Sequence, residues 1–361
     1  DAEIVIYEKN NIVSFGACGL PYFVGDFFED SNNMIARTPE AFINSGVDVK
    51  TLHEVKRVDF ENKKVIVKDL KGNEEFEDYY DKLMIATGAS SIIPTIKNLD
   101  IENVHTLKSM EDGIRLKELF RDENNKNIAI IGAGFIGLEA VEAAKKYGKK
   151  VSVFQLGDRI LQDVFDKEIT DLLEEELRNH NVDLYLQESV TEIIGDKKVK
   201  RVKTPNMEVE ADVVIIATGV RPNTEFLKNS NLEMLPNGAI IVDNYGKTSI
   251  EDVYSAGDCA TITQIITGEK AYVPLATGAN KLGRIVGENL AGADIEFQGS
   301  LSSSCIKVMN MEAGRTGITE SKAKALNLNY KTVFINDMNA TNYYPGQSKI
   351  YIKLIYDSES K

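Results

Sequence analysis

A chain of 361 residues, 43% hydrophobic and 27% charged, is long enough for two or three domains and has the balance of a globular protein. Its formal charge of −14 opposes a phosphate backbone or an anionic lipid surface. No basic patch offsets that charge and no apolar run approaches the roughly 20 residues of a membrane-spanning helix, so neither nucleic acid nor membrane is an expected partner. Three cysteines at wide spacings, Cys18, Cys259 and Cys305, with no C-x-x-C pair, argue against a disulfide framework or a zinc site. They point to a reducing, cytoplasmic setting and small-molecule ligands.

The chain opens at Asp1-Ala2-Glu3 without a charged leader, directly on an apolar strand, Glu3 to Tyr7, closed by the acid Glu8. In a dinucleotide fold that is the second strand of the unit, which places the expected first strand and its glycine turn upstream of Asp1. Ser14-Phe15-Gly16-Ala17-Cys18-Gly19-Leu20-Pro21-Tyr22 then sets a cysteine just ahead of a helix whose first turn suits Pro21. A thiolate there is favoured by unpaired N–H groups and the helix dipole. The positions five residues away are Val13 and Phe23, so no second thiol closes a ring.

Lys82 to Ala86 reads as a buried parallel strand ending in the small-residue turn Ala86-Thr87-Gly88. Residues 127–155 read strand, Gly132-Ala133-Gly134-Phe135-Ile136-Gly137, a helix to about Tyr147, and a second strand ending at Gln155. The G-x-G-x-x-G glycines thus follow a strand and open a helix, the context in which a backbone turn cradles a pyrophosphate. Val213 to Ala217, with Thr218 and Gly219, repeats the earlier strand and turn. Two such strands imply two similar units and two dinucleotides, one nicotinamide cofactor and one FAD. Further on, Asp252 to Ser255 runs into Gly257-Asp258, and Pro274-Leu275-Ala276-Thr277 leads into a helix. Cys259 and Cys305 read as packing residues, and His53, His105 and His180 as structural. Tyr343-Tyr344-Pro345-Gly346 precedes an alternating apolar strand, Lys349 to Tyr356.

In that order, these motifs resemble the two-dinucleotide flavoprotein disulfide reductases over essentially the whole chain. The resemblance implies an α/β fold of two Rossmann-like domains. Residues 1–112 and 236–300 would form the FAD domain, 113–235 an inserted NAD(P) domain, and 301–361 the start of an incomplete α/β dimerisation domain of a homodimer. It implies that Glu8 binds the FAD ribose and Asp258 the ribityl chain. The helix start at Leu275, Ala276 and Thr277 would face the flavin pyrimidine edge, with Ser14, Ala86, Thr87, Gly88 and Gly257 also lining FAD. Gly132, Gly134, Ile136, Gly137, Thr218 and Gly219 would line the nicotinamide cofactor. Phe135 would shield the flavin, and Glu139 beneath it would orient the carboxamide or pair with a lysine. Gln155 departs from the pattern, standing where NAD selection uses an acid. A glutamine bonds a hydroxyl without repelling a 2′-phosphate, and Arg159 would attract one, so the expected donor is NAD(P)H with NADH slightly favoured.

Dithiol members of the family place two cysteines five residues apart. Single-cysteine members cycle through a sulfenic acid, as NADH oxidases and peroxidases do, or through a mixed disulfide with coenzyme A or a persulfide. The segment from Ser14 to Tyr22 resembles the coenzyme A-disulfide reductase group most, and Tyr343 and Tyr344 resemble the tyrosines that this group brings to the thiol from the partner subunit. The expected acceptor is a coenzyme A disulfide or a persulfide. The alternatives are oxygen or peroxide, or an electron carrier or sensor that serves a protein partner.

Overall fold

The computed structural model describes residues 2–359; Asp1, where the opening expectation is anchored, lies outside the described residues. At the centre is a five-stranded parallel sheet in the order Val104–His105, Val213–Ile216, Asn127–Ile131, Lys150–Gln155, Val182–Leu186. Helices Phe135–Lys146 and Lys167–Asn179 follow two of its strands. Ile128, Ala129 and Ile130 are fully buried, as expected of strands covered on both faces. The sheet begins evenly because the Asp212 carboxylate accepts from the N–H groups of Lys126 and Asn127, both at 2.8 Å.

A second unit surrounds the first in sequence. Strand Ile4–Glu8 pairs in parallel with Val47–Thr51, and Leu83–Ile85 pairs in parallel with the distant Val253–Ser255. An antiparallel meander, His53–Asp59, Lys64–Asp69 and Glu75–Tyr79, completes it. Helix Ala276–Leu290 buries Leu282 and Val286 in a cluster with Ile240, Val253 and Ile262.

The last segment supplies two hairpins. In the first, Ser304–Val308 with Met311–Arg315, Ile306 and Val308 join the main core. The strand's alternation turns Cys305 outward, where it is exposed, so the packing role expected of it fails; Cys259 is fully buried. The second hairpin pairs Tyr330–Met338 with Lys349–Asp357 over nine rungs and leaves Val333, Ile335, Ile352 and Leu354 exposed. His180 caps the end of helix Lys167–Asn179 and lies 3.3 Å from Glu176, an acidic neighbour that the sequence pattern does not reveal. Among the described residues, no helix is long and apolar enough to cross a membrane.

Candidate active site

The three glycines after strand Asn127–Ile131 each meet a different demand. Gly132 takes φ +105, and a Cβ there would lie 2.3 Å from the Ala217 carbonyl oxygen. At Gly137 a Cβ would lie 2.0 Å from the Gly132 carbonyl oxygen, so helix and turn touch through backbone. Gly134 has nothing within 4 Å of its Cβ position, leaving open space over the start of the helix, where a pyrophosphate would reach the N–H groups. Gly132→Ala is therefore expected to cost about 2 kcal/mol or more of stability and to abolish nucleotide binding, checked by thermal unfolding with and without NAD. Gln155 closes the turn itself: its Oε1 accepts the Ala133 N–H at 3.0 Å. Arg159 is held through one amino nitrogen to Asp158 and the other to the Gln162 carbonyl, both at 3.3 Å.

On the other unit, the Ile85 carbonyl accepts from Ser255 Oγ at 2.8 Å and from Cys259 Sγ at 3.5 Å, which draws Ala86, Thr87 and Gly88 beside Gly257 and Asp258. Asp258 pairs with Lys108 at 3.4 Å. The Tyr272 hydroxyl is buried without a hydrogen-bond partner among the described residues, and burial followed by the nearby Asp258 charge pushes its pKa up. Leu275, extended at the N-cap of helix Ala276–Leu290, offers no side-chain cap, so the N–H groups of Ala276 and Thr277 have no acceptor among the described residues. An orphaned hydroxyl, a cation–carboxylate pair and open helix N–H groups together fit the polar edge of a flavin nucleotide. Glu8 ends its strand with Oε1 taken by the Asn10 backbone and side-chain N–H groups, both at 2.8 Å. Ser14 pairs with Arg37 across a short ladder. Neither is linked by a side-chain hydrogen bond to the other predicted site residues.

Cys18 is exposed in the 3-10 turn Ala17–Gly19, immediately before the five-residue helix Leu20–Val24. Leu20, Phe23 and Val24 are buried in the core shared with Leu138, Val141 and Ala144 of the glycine-turn helix. A Lys–Arg clamp fixes the segment that follows. Lys117 donates to the Phe28 carbonyl at 2.7 Å and lies 3.0 Å from Asp26, while Arg121 bonds Asp26 and Glu29, each at 2.7 Å. Phe135, the first residue of the helix Phe135–Lys146, is half-buried against the same core.

Between the two helices lies a narrow cleft of about 10 Å³, walled by Tyr22 and Phe27 on one side and by Glu139 and Glu142 on the other. Lys307 reaches into it and pairs with Glu142. Glu139 has no hydrogen-bond or ion-pair partner among the described residues, and burial, helped by the Glu142 charge, lifts its carboxyl to about 7. A carboxyl raised in the fold lowers stability once it ionises: nothing is lost below the unfolded value near 4.5, and the whole cost is present above 7. Glu139→Gln is accordingly expected to raise stability at pH 8, by about 3 kcal/mol at most, and to leave it unchanged at pH 4, as read from parallel denaturant melts.

Tyr343 and Tyr344 stand at the tip of the long hairpin, 81% and 64% exposed, with no side-chain bond to the other site residues. Sequence reasoning missed Lys108, Lys117, Tyr272 and Lys307. Each lies outside any motif and is recognised only by what it touches.

The pyridine nucleotide-disulphide oxidoreductase family model matches residues 1–283, and the model of that family's dimerisation domain matches 303–361. The chain is 37% identical to the NAD(P)H sulfur oxidoreductase (CoA-dependent) of Pyrococcus abyssi, over 99% of this chain and 79% of that protein. It is 36% identical to an NADH oxidase of Enterococcus faecalis, over 99% of this chain and 80% of that one. The solved structure of an NAD-dependent persulfide reductase from A. fulgidus superposes with a TM-score of 0.94 at 36% identity, over 100% of this chain and 68% of that one. The chain therefore belongs to the pyridine nucleotide-disulphide oxidoreductase family, as an FAD- and NAD(P)H-dependent oxidoreductase with Rossmann-type α/β domains.

Proposed function

We propose that this enzyme reduces a coenzyme A disulfide or persulfide through Cys18. The observation that carries the reading is an exposed cysteine at the start of a core-anchored helix, with Val13 and the buried Phe23 where a partner thiol would stand. The similarity to a CoA-dependent sulfur oxidoreductase and a persulfide reductase supports it. The Cys18 thiolate attacks the sulfur attached to coenzyme A, forming a mixed disulfide and releasing a thiolate from a disulfide, or hydrosulfide from a persulfide. Two electrons then break the mixed disulfide into the Cys18 thiolate and coenzyme A thiolate. When bound, FAD supplies the two-electron relay from NAD(P)H to that sulfur.

The chain's own groups hold the parts in place. Gly132, Gly134 and Gly137, with Ile136, Thr218 and Gly219, shape the nicotinamide site, and Phe135 and Glu139 face its inner end. Ala86 to Gly88, Gly257, Asp258 and Leu275 to Thr277 shape the flavin site, with Lys108 and Tyr272 as additional polar contacts and Glu8 and Ser14 at its margin. The FAD domain comprises 1–112 and 236–300, the NAD(P) domain 113–235, and residues 301–361 belong to the dimerisation domain. The exposed apolar rungs of the long hairpin support a homodimer in which Tyr343 and Tyr344 reach the partner's thiol. The cytoplasm, where free thiols stay reduced, is the fitting compartment.

Anaerobic titration with NADH and then NADPH, followed at the flavin absorbance, and mass spectrometry of any thiol released from Cys18 test the reading. Release of coenzyme A alongside flavin reduction is expected. A Cys18 carrying only oxygen replaces the proposal with an NADH oxidase or peroxidase, the activity named in the Enterococcus relative.

A further inference from the structure

The two Ala-Thr-Gly turns are bound to each other. Strand Ala89–Ser91, leaving the first turn, pairs antiparallel with Val220–Pro222, leaving the second, in the register Ala89↔Pro222, Ser90↔Arg221, Ser91↔Val220. The flanking bonds obey a local twofold relation. Asn223 N–H donates to the Gly88 carbonyl and Ile92 N–H to the Gly219 carbonyl, each at 2.9 Å. Thr87 Oγ1 donates to the Asn223 carbonyl at 2.8 Å, and Thr218 Oγ1 to the Ile92 carbonyl at 2.7 Å. Asn223 adds a brace on one side only: its Nδ2 donates to the Thr87 carbonyl at 2.9 Å and its Oδ1 accepts from Ser90 Oγ at 2.6 Å.

We propose that this reciprocal clasp fixes the alignment of the two nucleotide-binding units, making Thr87, Thr218 and Asn223 positioning residues for hydride passage between nicotinamide and flavin. The inference rests on the electron-donor half of the proposed function and not on the identity of the acceptor. Both threonine hydroxyls are spent on the opposite unit's backbone, so their work is to hold one turn against the other. A three-rung ladder is short, and the hydroxyls lock both of its ends. Hydride passage is steep in distance and angle, and a displacement of about 1 Å is worth about a hundredfold in rate.

The test uses the flavin-loaded full chain and its Thr87→Val, Thr218→Val, Thr87→Ser and Thr218→Ser variants. Three quantities are measured: the rate of flavin bleaching on rapid mixing with NADH and with NADPH, the affinity for NAD, and amide hydrogen exchange at Ile92 and Asn223. With the flavin fully loaded and nucleotide saturating, the valine variants are expected to bleach about tenfold or more slowly and to exchange faster at both amides. The serine variants should restore parental behaviour. Parental bleaching in the valine variants, serine variants that fail to restore it, or unchanged exchange would overturn the clasp. So would a valine variant that sheds flavin while its serine counterpart keeps it, because the hydroxyl would then serve flavin binding. If neither nucleotide bleaches the parent, the electron-donor reading fails instead, and the exchange rates alone decide whether the clasp holds the units.

Discussion

Cys18→Ser is expected to lower turnover of a coenzyme A disulfide or persulfide by about a thousandfold or more, while NAD(P)H still bleaches the flavin to full amplitude. Serine fills nearly the same volume, so the turn Ala17–Gly19 and the buried anchors Leu20, Phe23 and Val24 are undisturbed. What disappears is the sulfur that forms and breaks the mixed disulfide; a hydroxyl is neither ionised at neutral pH nor able to form an S–S bond. Turnover with an artificial acceptor that takes electrons from the flavin should survive. Cys305→Ser, on an exposed strand face, serves as the control and should leave both activities intact. If Cys18→Ser retains turnover with the physiological acceptor, the thiol is not the electron outlet, and a carrier serving a protein partner becomes the better account.

The second large effect belongs to Lys353. Its side chain, on strand Lys349–Asp357, is only 6% exposed and meets three carboxylates: Glu168 at 2.9 Å, Asp166 at 3.5 Å and Glu320. Asp166 also accepts the Glu320 backbone N–H at 3.0 Å, so the cluster ties the start of helix Lys167–Asn179 of the central unit to the short helix Glu320–Ala325 and to the long hairpin of the last segment. Burial disfavours the ammonium, but the carboxylates outweigh it and its pKa is raised. Lys353→Met removes the cation and strands its acids, and breaking a buried ion cluster in this way costs about 3–5 kcal/mol. The lower end is expected here, because Glu168 and Glu320 are still 39% and 35% exposed and water screens them. Denaturant melts check it. Adding Glu320→Gln should recover part of the loss, whereas Lys167→Ala, at an exposed i,i+4 pair with Asp171, should leave the unfolding midpoint essentially where it is.

Elements whose signal is local are legible in the amino-acid sequence. The glycine turn, its helix and both flanking strands are encoded within thirty or so residues by apolar runs and by glycines, of which Gly132 and Gly137 leave no room for a Cβ. The cysteine ahead of Pro21 is equally plain. Contacts between segments far apart in the chain are not. Nothing near residue 83 announces a pairing with residue 253, and nothing in Lys108, Tyr272 or Lys353 marks it as buried or paired, because a lone polar residue acquires meaning only from neighbours that folding supplies. Cys305 shows the reverse error: its strand is recognisable, but which of the strand's faces meets the core is decided by Ile306 and Val308 and by what they pack against. Gln155 stands at the end of its strand as the pattern predicts, while the hydrogen bond it makes back into the glycine turn is invisible to pattern alone.

That bond bears on how such an enzyme changes its diet of reductant. Because the carbonyl of the Gln155 amide holds the Ala133 N–H, an acidic replacement of the same length keeps the acceptor and adds a charge that turns away a 2′-phosphate. Glutamine and glutamate codons differ by a single base, so if Gln155 faces the adenine ribose as its place in the motif leads one to expect, a shift toward NADH lies one mutation away with the turn left standing. A shorter aspartate would gain the charge and forfeit the brace, which makes the two acids unequal evolutionary steps from the same starting point.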